Sequence, residues 1–172
     1  STAAQEGGYL GVREVTGLTE GKQLRLGFQM AFDKLGTVKW VQATRSDRGF
    51  FEGGQFLLHV DAAGKMTFFQ RAVLMEQLET RRWYDIQVVL TVGSADGTVK
   101  NKADIYINGI HVLQDYAFSG TNNGSSTVQM QDVRFIRITG ANKSDETMYL
   151  DNVTYGIYEG DCPVAETALT HS

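Results

Sequence analysis

Cysteine, long apolar runs and clustered positive charge are scarce in this sequence, and each scarcity excludes a class of protein. Cys162 is the only cysteine, so an intrachain disulfide and a multi-cysteine zinc site are impossible. No apolar stretch approaches the roughly 18 residues of a membrane-spanning helix. Lysine and arginine are scattered along a chain of formal net charge -4, so no basic stripe can neutralise a run of phosphates. We expect neither nucleic acid nor a membrane span.

The composition is that of an ordinary globular protein. Hydrophobic residues make up 42% and charged residues 21% of 172 residues, which fits one domain that folds without a covalent staple. We expect a single sandwich domain over residues 1–160. An irregular C-terminal tail is expected over 161–172, where the periodicity is lost. Ser1 to Gly8 lacks the charged and apolar regions of a secretion signal.

Most of the chain consists of short runs rich in β-branched and aromatic residues, separated by Gly, Asp, Asn and Ser, which is typical of strands and turns. The runs predict ten strands, near residues 8–14, 24–33, 37–45, 54–61, 65–71, 83–92, 102–108, 110–117, 127–139 and 147–158. Ten strands exceed the comfortable width of one sheet. The sequence therefore predicts an all-β fold, a two-sheet antiparallel β-sandwich of the jelly-roll kind.

Strict alternation identifies the strands that bury one face. It predicts a set of six core residues: Tyr84, Ile86, Val88, Leu90, Ile105 and Ile107. The same alternation sends Gln87, Asp104 and Tyr106 to the opposite face. Turn residues at Asp61–Gly64 and at Asn108–Gly109 predict two hairpins. For Arg71–Arg82 the pattern fits either a short helix or a strand and a loop.

Several segments resemble a known superfamily. The run from Trp83 to Leu90, followed after a polar loop by Ala103–Gly109 (Ala-Asp-Ile-Tyr-Ile-Asn-Gly), resembles concanavalin A-like jelly rolls, including laminin-G-type domains. The hairpin over 54–69 is similar to the one that precedes these strands there. The closing Tyr149–Val153 (Tyr-Leu-Asp-Asn-Val) resembles the last strand of polysaccharide-lyase and glucanase relatives.

This resemblance, which spans about residues 54–158, carries several implications. It implies sugar recognition on the concave sheet or its rim loops, sometimes lyase or hydrolase activity, and often a structural calcium ion. It also makes Trp83 a packing residue. We further expect an extracellular or periplasmic location.

Two kinds of sugar-cleaving enzyme require different residues, which can be sought in the sequence. A retaining glucanase of this architecture is expected to carry Glu-x-Asp-x-x-Glu on one strand, because two carboxylates must flank the scissile bond. That motif is absent, so hydrolysis by this route is disfavoured. A polysaccharide lyase needs Tyr or His with Arg, Asn or Gln, which His59, Tyr106, Arg45, Gln55 and Gln87 supply. Alginate-lyase relatives carry Gln-x-His, whereas Gln55 here lies four residues before His59.

Sugar binding without catalysis requires aromatic faces and planar polar groups on a preformed surface. The candidates are Trp40, Arg45, His59, Gln87, Asp104 and Tyr106. Trp40 fits either a core residue or a stacking platform. The leading hypothesis is a non-catalytic, lectin-like domain that binds a poly- or oligosaccharide. A polysaccharide lyase-like enzyme and a structural protein-interaction sandwich are the alternatives.

Asp151 lies among apolar residues in the closing strand, where an unpaired buried carboxylate is costly. Calcium, which takes carboxylate and carbonyl oxygens, would compensate the charge and is what the resemblance implies. Backbone hydrogen bonds or a salt bridge would do so equally. The sequence leaves both explanations open.

Overall fold

A computed structural model describes residues 17–36, 38–45, 54–94, 96–118, 133–140 and 148–159, with the backbone alone for 39–45, 54–57 and 133–140. Within these residues the secondary structure is entirely strand and turn. The strands are β1 (Gln23–Phe32), β2 (Lys39–Arg45), β3 (Gly54–Val60), β4 (Met66–Phe68), β5 (Ala72–Met75), β6 (Tyr84–Thr91), β7 (Asn101–Ile107), β8 (Ile110–Phe118), β9 (Val133–Gly140) and β10 (Met148–Tyr158).

The strands form two five-stranded sheets. The first has the order β10-β1-β6-β7-β8 and the second the order β5-β4-β3-β2-β9. Every hydrogen-bonded pair is antiparallel. The chain leaves the first sheet after β1, returns to it at β6, and crosses once more to the second sheet for β9. The predicted two-sheet antiparallel sandwich is confirmed, and it is the architecture that the superfamily resemblance implies.

The core lies between the sheets and is built from alternate residues of each strand. All six residues predicted to be buried are at most 3% exposed, so this prediction is confirmed. They pack in one cluster with Phe28 and Met30 of β1 and with Met66 and Phe68 of the second sheet. Burial of the alternate residues leaves one outer face on each sheet.

Residues 71–82 form a strand and a loop. β5 pairs with β4, and the loop that follows returns Leu78 to the core at 1% exposure. Its backbone is tied to the rest of the sandwich, because the Leu78 N–H donates to the Gly64 carbonyl (2.8 Å) and the Arg81 N–H to the Phe32 carbonyl (2.7 Å). Pairing with β4 satisfies backbone groups that a helix would have left unpaired at that sheet edge.

The packing role expected for Trp83 is wrong, because its side chain is 50% exposed. Trp83 immediately precedes β6, and the next residue, Tyr84, takes the core position at 1% exposure. The Tyr84 hydroxyl accepts a hydrogen bond from the Glu79 N–H (2.7 Å). Period-2 alternation then sends Trp83 to the outer side.

Both predicted hairpin turns are confirmed. Asn108 and Gly109 have φ angles of 51° and 79°, the left-handed pair that a two-residue hairpin requires. Asn108 Oδ1 also accepts the N–H of Asp85 (2.9 Å). In the other turn, Gly64 has φ of 99° and donates its N–H to the carbonyl of Asp61 (3.0 Å).

Several expectations lie outside the described residues: the strand near 8–14, the polar loop 119–126, Cys162 and the tail 161–172. The single-domain boundary at residue 160 therefore stays a prediction. In the described ranges no helix is long and apolar enough to cross a membrane.

The loop between β6 and β7 folds back tightly on itself at Gly93. The Gly93 N–H donates to Oδ1 of Asn101 (2.9 Å), which is buried. A Cβ at Gly93 would lie 2.1 Å from the carbonyl oxygen of Val99 and 2.6 Å from the carbonyl carbon of Lys100. Both obstacles are backbone atoms, so the chain itself must move to admit a methyl group.

We predict that Gly93→Ala lowers the free energy of unfolding by about 1–3 kcal/mol, the usual cost of overpacking. Urea denaturation of the purified variant measures this.

Gly27→Ala is the matched control, since the nearest atom to its added Cβ is the Thr154 hydroxyl oxygen, at 2.8 Å. A hydroxyl can rotate away where a backbone cannot, so this variant should lose less stability, and Thr154→Ala should restore it. Equal losses at the two glycines would contradict the prediction.

Candidate functional site

Five residues form a continuous row across the outer face of the first sheet. Reading from β10 to β8, each lies directly opposite the next in register: Thr154, Gly27, Gln87, Tyr106 and His111. We call them the outer row. In β1, β6 and β7 the neighbours on either side of the row residue are buried, which fixes it on the outer side.

Tyr106 and His111 form the aromatic part of the outer row. Their rings are stacked, with centroids 4.2 Å apart and planes 9° apart. His111 Nε2 lies 2.8 Å from Asp104 Oδ1. The side chains of His111 and Asp104 are 29% and 27% exposed. One carboxylate therefore orients the imidazole, and the imidazole in turn supports the tyrosine ring.

Asp104 has a second task in the same strand pair. β8 is irregular where it passes Asp104, and Asp115 has φ of 46°. The Asp115 N–H donates to Asp104 Oδ1 (3.0 Å), which satisfies a backbone group that the irregularity removes from the ladder. Asp115 is also paired with Lys102, whose Nζ lies 3.0 Å from Oδ1. These contacts hold the outer face of β7 and β8 in one arrangement.

His111 was not among the residues predicted from sequence, although a signal for it was present. A two-residue turn at Asn108–Gly109 places Ile107 opposite Ile110 and therefore Tyr106 opposite His111. The observed register is the same. Counting outward from the turn would have added His111 to the site.

Gly27 makes a gap in the middle of the outer row. Its neighbours on β1 along the same face, Arg25 and Gln29, carry long side chains. The hydroxyl of Thr154 occupies part of the space beside Gly27. A glycine inside a strand commonly marks a point of close approach by another group. Side chains at Gln87 and Tyr106 therefore project further from the sheet than the surface at Gly27 does.

The structure divides the six predicted saccharide-binding residues between the two sheets. Gln87, Asp104 and Tyr106 lie together on β6 and β7 of the first sheet. Trp40 and Arg45 of β2, with His59 of β3, belong to the second sheet. Trp40 lies opposite His59 in register, and Arg45 lies opposite Val133 at the end of its strand. One sheet face therefore cannot carry all six.

His59 lies on the outer side of β3, between buried Leu58 and Val60. Its Nε2 is 3.3 Å from Nε2 of Gln70. Burial lowers the pKa of the imidazole below 6.5, and the nearby carboxylate of Asp61 opposes this shift. The neutral form is favoured, which suits a hydrogen-bonding group more than a fixed charge.

The burial argument for a calcium ion at Asp151 does not hold. The Asp151 side chain is exposed, so the burial that called for compensation is absent. Its Oδ1 accepts the N–H of Asn152 (2.8 Å). Across the described part of the chain, His, Cys, Asp and Glu side chains form no group of three suited to a metal. Calcium stays a prediction from the superfamily resemblance alone.

Comparison with known proteins finds no matching family model and no matching curated protein. Among solved structures, the alginate lyase Aly36B is similar at 16% identity, over 86% of this chain and 72% of that one, with a TM-score of 0.47. The Trypanosoma rangeli sialidase has 16% identity, coverage of 80% and 20%, and a TM-score of 0.45. The Caenorhabditis elegans galectin LEC-6 has 12% identity, coverage of 81% and 92%, and a TM-score of 0.39. The fold is established by this chain's own strand pairing.

We predict that Asp104→Ala lowers the free energy of unfolding by about 0.5–1.5 kcal/mol, because the exposed Asp115 N–H exchanges the carboxylate for water. Asp104→Asn keeps an oxygen at that position and should lose less. Thermal or urea unfolding of both variants measures the difference. Equal stability of the alanine variant and the unmodified protein would show that the bond to Asp115 is unimportant.

We predict that His59 titrates below pH 6.5 in the folded protein, because burial disfavours its charged form. The unfolded chain then binds the proton more readily, so this residue's contribution to stability decreases as the pH falls below 6.5. Histidine ring signals followed by NMR give the midpoint, and His59→Gln assigns the signal. A midpoint above 6.5 would contradict the prediction.

Proposed function

We propose that this protein binds a poly- or oligosaccharide on the outer face of its first sheet without cleaving it. The observation that carries the proposal is the outer row, where Tyr106, His111 and Gln87 lie side by side on adjacent strands. Sugars present apolar ring faces and a rim of hydroxyls, which aromatic rings and planar polar groups match respectively.

Hydrogen bonds to Asp104 hold the aromatic residues of this face in place, which favours binding. Asp104 contacts both His111 and the β8 backbone, so the aromatic pair does not need to be ordered by a ligand. Binding to a preformed surface avoids the entropy cost of fixing side chains. The proposal also includes an extracellular or periplasmic location.

The stack of Tyr106 on His111 limits how a sugar can approach. One face of the tyrosine ring is covered at a centroid distance of 4.2 Å. A pyranose that contacts the Tyr106 ring would therefore approach from the side of Gln87 and the gap at Gly27. Gln87 is placed to hold ring hydroxyls there, since its amide both donates and accepts hydrogen bonds.

A lyase-like enzyme is the second candidate, favoured by the contact of His111 with Asp104 and Tyr106. An oriented imidazole beside a phenol is a pair that can move protons in an elimination. Such a reaction also needs a cation for the uronate carboxylate. Arg25 is two strands away from Asp104, with Val89 between them in register.

We predict that Tyr106→Ala weakens saccharide binding by about fivefold, since an aromatic contact contributes roughly 1 kcal/mol beyond its area. A glycan array identifies the ligand, and calorimetric titration of the variant measures the change. Tyr106→Phe, which keeps the ring, should retain most of the affinity.

His59→Ala is the matched control on the opposite outer face. If it weakens binding while Tyr106→Ala does not, the ligand lies on the second sheet and the proposed site is wrong. Release of an unsaturated uronate product, detected by ultraviolet absorbance and abolished in His111→Ala, would establish the lyase instead. Absence of any bound glycan, with retention of a protein partner, would favour the protein-interaction sandwich.

A further inference from the structure

The outer face of the first sheet carries a second aromatic group, at the end of the sheet away from the outer row. Trp83 and Tyr149 are each 50% exposed. Their ring centroids are 6.5 Å apart with planes inclined by 58°, within the range of attractive aromatic pairs. Neither residue takes part in the proposed site described above.

The two rings lean towards each other above β1. Tyr149 is on β10 and lies opposite Ala31, whereas Trp83 precedes β6, on the other side of β1. Strands two apart in a sheet are separated by about 9.5 Å, yet the ring centroids are 6.5 Å apart. Ala31 has a small side chain and is 4% exposed. The alanine permits this approach, so the rings form one platform.

Along β1, the outward residues between this platform and the outer row carry no charge. Gln29 is the next outward residue of β1, and its Oε1 accepts Nδ2 of Asn152 (2.9 Å). Gly27 then follows, flanked in register by Thr154 and Gln87. Amides and a hydroxyl both donate and accept hydrogen bonds, as sugar hydroxyls do. They suit a ligand that alternates ring faces with hydroxyls.

We propose that a neutral, extended β-1,4-linked oligosaccharide lies along β1, with one pyranose ring on the Trp83–Tyr149 platform and others reaching the outer row. This rests on the proposed function and names its ligand class. From Ala31 to Gln23 the strand extends about 26 Å, at roughly 3.3 Å per residue, which is room for several rings. A straight strand matches a ribbon-like chain better than a helical one.

Charge argues for a neutral sugar and against a uronate. On the outer positions of the described strands of the first sheet there are two cations, Arg25 and Lys102, and four carboxylates, Asp85, Asp104, Asp115 and Asp151. Lys102 is already paired with Asp115. Gln29 has Asp85 on one side and Asp151 on the other. With Lys102 and Asp115 cancelling each other, Arg25 is left with Asp85, Asp104 and Asp151, so carboxylates on successive uronates would face a surface of net negative charge.

The ligand class is tested with two matched probes, β-1,4-mannohexaose and the hexamer of β-1,4-mannuronate, which differ only in CH₂OH against carboxylate at C6. Cellohexaose and xylohexaose extend the neutral set. We expect at least one neutral hexamer to bind more than tenfold tighter than the mannuronate hexamer. Equal or tighter binding of the mannuronate, or no binding of any neutral hexamer, overturns the inference.

The platform is tested with Trp83→Ala and Tyr149→Ala. Each variant is expected to bind the neutral hexamer with about three- to tenfold lower affinity. Tyr155→Ala is the matched control, because Tyr155 is 47% exposed on the same strand but lies opposite Leu26 on the inner side of the register. The Tyr155→Ala variant should bind the neutral hexamer with unchanged affinity. Ligand should also shift the tryptophan emission of the intact protein, and Trp83→Phe should abolish that shift.

The outcomes separate this inference from the proposed function. If Tyr106→Ala weakens binding while Trp83→Ala and Tyr149→Ala do not, the proposed site at the outer row is supported and the inference about the platform is overturned. If Trp83→Ala changes the molecular mass in solution and leaves glycan affinity intact, the platform joins two copies of the chain and the inference is overturned. Weakening by both platform variants together with Tyr106→Ala, each with an unchanged melting temperature, supports one continuous ligand.

Discussion

Burial of one face of β1 sets the geometry on which the candidate site depends. Leu24, Leu26, Phe28, Met30 and Phe32 are all 1–3% exposed, and β1 lies between β10 and β6. A slip of one residue would exchange these side chains with Arg25, Gly27 and Gln29. Removing a fully buried side chain of this size from the core costs about 1.5–3 kcal/mol. The polar residues along the outer side of β1 therefore keep fixed positions, and so do their partners on β10 and β6.

Polar side chains on this face stabilise each other as well as the fold. Asp104 supports both His111 and the irregular backbone of β8, and Gln29 accepts a hydrogen bond from Asn152 at the irregularity of β10. Asn152 itself has φ of 50°. Two places where the ladder is interrupted thus coincide with the groups that a ligand would meet. Bulges commonly re-aim side chains in this way.

Much of the fold was predictable from local pattern, because one buried face imposes period 2 on each strand. The same reasoning placed Gln87, Asp104 and Tyr106 together, since β6 and β7 are consecutive along the chain and adjacent in one sheet. It failed for Trp40 and Arg45, because alternation within a strand carries no information about which sheet the strand joins. The packing role of Trp83, which the superfamily resemblance implied, was wrong because Tyr84 takes the core position and alternation places the residue before it on the outer side.

Residues 71–82 illustrate a different limit. Leu74 and Leu78 are four positions apart, which is helical spacing, and both are buried at 6% and 1% exposure. A strand followed by a loop achieves the same burial, so hydrophobic spacing alone left the two structures equivalent. Hydrogen bonding decided between them, because β5 completes the edge of β4. The hydrophobic spacing of residues 71–82 carries no information about this pairing with β4.

The pairing of the first and last described strands bears on how such a sandwich can be joined to other domains. β1 begins at Gln23 directly opposite Tyr158, the final residue of β10, so the start of the first described strand and the end of the last are neighbours. A domain whose first and last strands begin and end side by side can be inserted into a surface loop of a host domain without separating the strands of that host. For the same reason a short peptide could close the two strands into a ring, with new termini opened at the exposed Asn108–Gly109 turn.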